Sequence, residues 1–243
     1  MSEQILIPGR FCGPPDSGNG GYACGLVAAH VHGIAEVTLR RPPPLDTALA
    51  VVPGHDGSVR LVDGDQVVAE GRIRDDDLGI DVPAPVGIAE AEAAGRGAWF
   101  VRHPEEHPFP TCFVCAPQRA ADDGLHILVG PVPERDVAAD AWTPSPDLAG
   151  ADGVVRPELV WAALDCSGGI GSFGTDLGHA SSPFVLGRLA ARIVGPVRAG
   201  DPHTVLGWRI GRDGRKLGAG SAIFTESGEL VGLARATWIQ LAG

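Results

Sequence analysis

Short runs of aliphatic and β-branched residues recur along the chain, broken by small polar pairs. Asp56-Gly57, Asp63-Gly64, Asp213-Gly214 and Ser227-Gly228 each stand between two such runs, the arrangement that closes a β-hairpin. The pattern predicts strands over 35–40, 49–52, 58–62 and 66–73 in the first half of the chain. In the second half it predicts strands over 125–129, 137–142, 184–194, 204–210, 215–224 and 230–241. Strands this regular, separated by tight turns, indicate an antiparallel sheet and not βαβ units.

Three stretches read as helical. Residues 22–31 follow a Gly-rich approach and stop at Gly33, a C-terminal glycine signal. Residues 157–167 open with Pro157 and Glu158, both favourable in a first turn. Residues 85–94 form a short helix or tether ending at Gly95, inside a Pro-, Ala- and acid-rich stretch, 75–110, that suits an interdomain connection. The halves also repeat. Residues 40–47 (RRPPPLDT) resemble 194–201 (VGPVRAGD), and 61–69 (LVDGDQVVA) resemble 224–232 (FTESGELVG). One helix followed by antiparallel strands, written twice, is an α+β architecture with helices packed on one face of a sheet. The expected division is 1–83, a linker with a short helix over 84–111, and 112–243.

Composition narrows the field. An apolar share of 44% in 243 residues is enough for a packed core. No apolar run approaches the ~20 residues of a membrane span, and the start Met1-Ser2-Glu3-Gln4 lacks the features of a signal peptide, so a cytoplasmic address is expected. A net charge of −11 argues against nucleic acid as a partner, because that binding neutralises phosphates with Lys and Arg. Five cysteines, an odd number in a chain without an export signal, argue against a disulfide framework.

Several weak motifs, taken in order, resemble the hotdog-fold acyl-CoA thioesterase-like family in its tandem, double-hotdog form. Cys112-Phe113-Val114-Cys115 followed by Asp123-Gly124-Leu125 is similar to that family's Cys-x-x-Cys-Gly…Gly-Leu motif, with Ala116 where Gly is usual and Arg119-Ala120 where Asn-Pro is usual. Trp161-Ala162-Ala163-Leu164-Asp165 is similar to its central helix. Gly228-Glu229-Leu230, running into Ala234-Arg235-Ala236-Thr237-Trp238, is similar to its last hairpin. Gly20-Gly21-Tyr22-Ala23-Cys24-Gly25 resembles its Gly-Gly-Tyr helix start. The resemblance implies two tandem hotdog domains, each an antiparallel sheet wrapped around a central helix. It also implies an acyl-CoA-type thioester as substrate, no cofactor, and a homodimer as the default assembly.

Thioester hydrolysis needs a base or nucleophile, and donors for the oxygen that becomes negative. Helix-start amides are such donors, and Gly20, Gly21 and Tyr22 leave little bulk around theirs, with Asn19 as cap or extra donor. The same glycines also suit a tight turn and close helix packing. Asp165 sits in an apolar helix, where a carboxylate is costly unless partnered. The resemblance makes it the general base or nucleophile and sets it against Gly20, Gly21 and Tyr22 of the other domain. Residues 22–31 hold no acid, so one active site at most is expected, with Asp16 the weaker candidate.

Other features carry less. The Cys112/Cys115 pair has no second pair or His at zinc-finger spacing after it, so it is assigned to strand packing and no metal is expected. The Gly-x-Gly-x-x-Gly string over 169–174 follows a helix, which is wrong for a dinucleotide. No serine sits in Gly-x-Ser-x-Gly. His30 and His32 suit a helix end, and His103 and His107 are expected to face solvent. Trp142, Trp161, Trp208 and Trp238 are expected in the core, with Trp161 a candidate wall of an acyl pocket. A polyanionic coenzyme would need a local basic patch: Arg209, Arg212, Arg215 and Lys216 around one hairpin, or Arg40 and Arg41. A binder without chemistry is the alternative function. A hotdog hydratase or dehydratase is a poorer one, since the first histidine after Asp165 is His179.

Overall fold

The computed structural model describes residues 3–120, 122–173 and 183–242; Gly174 and His179 lie outside them. The first half runs β1 (Gln4–Leu6), α1 (Gly20–Ala28), β2 (Ala35–Leu39), β3 (Ala48–Pro53), β4 (Val59–Asp63) and β5 (Gln66–Ile73). Then come α2 (Ile88–Arg96), α3 (Trp99–Arg102) and the short β6 (Gly130–Pro131). The second half runs β7 (Ala138–Trp142), α4 (Pro157–Phe173), β8 (Phe184–Ile193), β9 (His203–Asp213), β10 (Lys216–Thr225) and β11 (Leu230–Gln240).

Among the described residues all the strands join one sheet in the order β1-β3-β4-β5-β2-β8-β11-β10-β9-β7-β6. The first half contributes the order β1-β3-β4-β5-β2, and β7, β9, β10, β11 and β8 reproduce it. The repeat read from the sequence therefore falls on equivalent places. Residues 40–47 and 194–201 come after β2 and β8, while 61–69 and 224–232 span the β4/β5 and β10/β11 hairpins. The halves meet where β2 pairs antiparallel with β8, Ala35 opposite Ala191 through Thr38 opposite Arg188.

Side chains alternate across a strand, and β9 uses both faces. Val205 lies in the core with α1 and α4, while Leu206 and Trp208 lie in a second cluster with Ala91 and Ala94 of α2. Helices on one face alone is thus corrected: α1 and α4 pack together on one side and α2 covers the other. Burying Leu206 or Phe224 there stabilises by about 2 kcal/mol each, so α2 is a packed element and not a tether.

Local expectations shift for identifiable reasons. α1 starts two residues earlier than predicted because Asn19 caps it, and ends at Ala28, with tightened turns at His30 and Val31. α4 runs to Phe173, so the glycine string up to that residue lies inside the helix and not after it. A Cβ on Gly207 would stand 1.9 Å from the Ser167 carbonyl oxygen, and one on Gly171 2.5 Å from Gly207. Bare backbone on both elements is what lets α4 lie this close to β9. Residues 125–129 are not a strand, because the Leu128 N–H is taken by the Asp140 carboxylate at 2.7 Å and the neighbouring amides bond back to 113–114. Trp142, Trp161, Trp208 and Trp238 are all buried. Among the described residues no helix is long and apolar enough to cross a membrane.

Candidate functional site

The site begins at the cap of α1. Asn19 Oδ1 accepts from Tyr22 N at 2.9 Å, which satisfies one amide and fixes the helix start. The next bare amide, Gly21 N, donates to Asp165 Oδ2 of α4 at 2.7 Å. A Cβ on Gly21 would meet Asp165 Cβ at 2.4 Å, Trp161 O at 2.6 Å and Ala162 Cα at 2.9 Å. Glycine is thus what brings an amide of the first unit against an acid of the second.

Asp165 is 1% exposed, and its Oδ1 has no hydrogen-bond partner. Burial pushes its carboxyl up to about 8, against the Gly21 bond that favours the charged form; the nearby Cys112 adds to the rise. At neutral pH the side chain is mostly a neutral acid, and it becomes a base above about 8. Tyr22 stacks on Phe11 with ring centroids 4.2 Å apart. Burial, with Glu158 nearby, pushes its phenol up to about 12, so it holds its proton throughout the neutral range.

Of the donors expected for a developing oxyanion, the Tyr22 amide is spent on Asn19 and the Gly21 amide on Asp165 itself. Gly20 packs against Leu186 and Leu39. Trp161 is buried at the α1–α4 contact, its Cβ facing Gly25. The acid therefore faces the helix start as the resemblance implies, but it fills that place with its own oxygen.

Three sulfurs adjoin this pair. Cys115 Sγ lies 3.3 Å from Cys112 Sγ, and Cys166 Sγ 3.8 Å from Cys112 Sγ. Asn19 Nδ2 points at Cys166 Sγ at 3.5 Å and at Cys112 Sγ at 4.0 Å. Thiols of Cys115 and Cys166 directed at Cys112 hold its ionisation well below the usual range and push their own up. Assigning Cys112 and Cys115 to strand packing is corrected: both lie in a turn, where the Ala116 amide bonds the Cys112 carbonyl. Sequence reading missed Cys166 because it lies 54 positions beyond Cys112; its one available signal was its place beside Asp165.

His107 also departs from expectation. It is buried against Phe100 with its Nε2 unpartnered, and burial lowers its pKa. His103, half-buried, stacks on Trp99. His30 lies 3.6 Å from Glu3 beyond the end of α1. Asp16 is exposed.

The basic hairpin residues are exposed, but three are engaged. Arg209 donates to the carbonyls of Ser172 at 2.7 Å and Phe173 at 2.9 Å, closing the C-terminal end of α4. Arg212 donates to Gly214 O and Gln240 Oε1, and Arg215 to Gln240 O. Lys216 stands exposed at the start of β10. Arg40 pairs with Glu70 and Arg41 is exposed. A separate groove lies on the outer sheet face at the seam of the halves, lined by Glu36, Arg72, Arg74, Arg188 and Arg235. There Glu36 is paired with Arg72, Arg74 and Arg188.

One antiparallel sheet whose two halves repeat a strand order, each half with a central helix and the helices packed together, is a tandem hotdog fold. The chain is similar over its whole length to solved structures of that kind. An acyl-CoA thioesterase II from Mycobacterium marinum matches with a TM-score of 0.62 at 14% identity, covering 99% of this chain and 93% of that one. A tesB protein from Mycobacterium avium subspecies paratuberculosis matches with a TM-score of 0.54 at 14% identity, covering 98% and 88%. No protein-family model and no curated protein matches the sequence.

Proposed function

We propose that the chain binds an acyl thioester of the coenzyme A type between its two units, 1–83 and 112–243, and hydrolyses it with Asp165 as general base or nucleophile. The observation that carries this reading is the 2.7 Å bond from Gly21 N to Asp165 Oδ2, a donor and an acid from different halves meeting at one buried point. In the base-catalysed form, the substrate carbonyl oxygen replaces Oδ2 on the Gly21 amide. The released carboxylate takes a proton from water as the water oxygen bonds the carbonyl carbon. The C–S bond then breaks, and the departing thiolate receives the proton. Trp161 flanks the acyl group, Gly20, Tyr22 and Asn19 hold the amide in place, and Arg209, Arg212, Arg215 and Lys216 offer charge to the coenzyme phosphates. The site uses no cofactor. A cytoplasmic setting and a homodimer complete the reading. Because the sheet's edge strands span three and two residues, such a dimer would join faces and not edges.

One observation favours a second reading, a ligand-binding protein without chemistry: the acid is closed off and occupies the amide it would need free. A hydratase is the poorer reading, since the first histidine after Asp165 in the sequence is His179. The test is a panel of acyl-CoA thioesters with a thiol-detecting readout, run beside thermal shift. Thiol release that falls at least ~100-fold in Asp165→Asn supports hydrolysis. Ligand-induced stabilisation without release leaves only binding, and neither effect overturns both readings.

A further inference from the structure

The three buried sulfurs lie beyond that reaction. Cys112 and Cys115 come from the turn after the connector and Cys166 from α4, and all three Sγ atoms lie within 4.8 Å of one another. Buried cysteines packed only as small apolar groups do not need their sulfurs to converge, whereas tetrahedral zinc thiolate sites do. We propose that Cys112, Cys115 and Cys166 bind one thiophilic divalent metal ion, zinc by the chemistry of the ligands, and so fasten the 112–115 turn to α4.

The surroundings suit anionic sulfur. The Asn19 side-chain amide turns its nitrogen to Cys166 Sγ and Cys112 Sγ while its oxygen is committed to Tyr22 N, so this side chain faces the sulfurs with its donor and not its acceptor. His107 Nδ1 accepts from Phe109 N at 3.1 Å, which places the neutral ring's proton on the buried, unpartnered Nε2. A donor aimed at ligand atoms, as the Asn19 amide is here, steadies the anionic sulfurs of a metal centre. The three protein ligands leave one coordination position open. Each cysteine that binds gives its thiol proton to solvent as the Sγ–metal bond forms. The metal keeps its oxidation state, so no oxidant or reductant is required.

The test is metal analysis of the full-length protein purified without chelators, with cobalt as a spectroscopic probe. About one zinc per chain is expected, falling below about a tenth in Cys112→Ser and Cys166→Ser and unchanged in Cys12→Ala. Should the serine variants fail to fold, the wild-type protein decides alone. Zinc removal followed by cobalt addition should give a thiolate-to-cobalt charge-transfer band and intense visible bands of a tetrahedral centre. Protein that is purified without metal and shows no such bands overturns the proposal. So does a Cys112–Cys115 disulfide in the freshly isolated chain. Neither result bears on thiol release from acyl-CoA, so the two proposals fail separately.

Discussion

The two halves share a strand order but not a scale or a chemistry. In the first, strands run from three to eight residues around a nine-residue helix that carries no charge. In the second, β8 to β11 are ten or eleven residues long and wrap a seventeen-residue helix that holds Asp165 and Cys166. The shorter half presents bare amides and the longer half presents the acid and a sulfur. An approximate twofold thus sets unlike elements against each other, because α1 carries no carboxyl and α4 carries Asp165.

The sharpest way to break this pairing is Gly21→Ala. The added carbon would meet backbone atoms of Trp161 and Ala162 that cannot turn away, so a loss of about 3 kcal/mol is expected in denaturant melts. Gly211→Ala, where a Cβ meets nothing within 4 Å, should leave the midpoint unchanged.

The second prediction concerns pH. Folded Asp165 keeps its proton up to about 8, while the unfolded chain loses it near the ordinary 3.8. Between these values the folded state binds more protons, so stability falls as pH rises from about 4 to 8, by at most about 1.4 kcal/mol per unit for this group. Asp140, raised to about 7 chiefly by burial, acts in the same direction. Asp165→Asn should flatten the decline and raise the melting temperature at pH 9, even as it removes any hydrolysis. A slope that is the same in the variant would rule out a buried neutral acid.

A smaller effect belongs to the cap. Asn19→Ala removes the acceptor for Tyr22 N and the donor to the sulfurs, at a cost of about 1 kcal/mol, measurable as a lower midpoint. The smallest is Arg209→Ala. Its hydrogen bonds to the end of α4, one part-buried and one exposed, are made by an exposed side chain and weakened by solvent, so about 0.5 kcal/mol is expected. If Arg209 instead meets coenzyme phosphates, KM for acyl-CoA rises while stability stays level.

Much of the fold was legible because hairpin signals are local. Asp213-Gly214 and Ser227-Gly228 sit at the β9/β10 and β10/β11 turns, and the matched turns after β2 and β8 exposed the duplication. Asp165 stood out because a carboxyl in an apolar helix is expensive. The features that escaped depend on contacts distant in sequence. The glycines after Ser167 read as a break until β9 lay against them, and residues 125–129 lost their strand to the Asp140 carboxylate. Which face α2 would cover, and which sulfur would join Cys112, are decided by tertiary packing alone.

The β2–β8 seam has one further consequence. Two separate copies of a single unit would assemble only above some concentration, and every substitution would enter both of their composite pockets at once. Covalent joining makes that association independent of dilution. It also lets each side mutate alone, so that one pocket can be sharpened while its twin is filled in to hold the protein together.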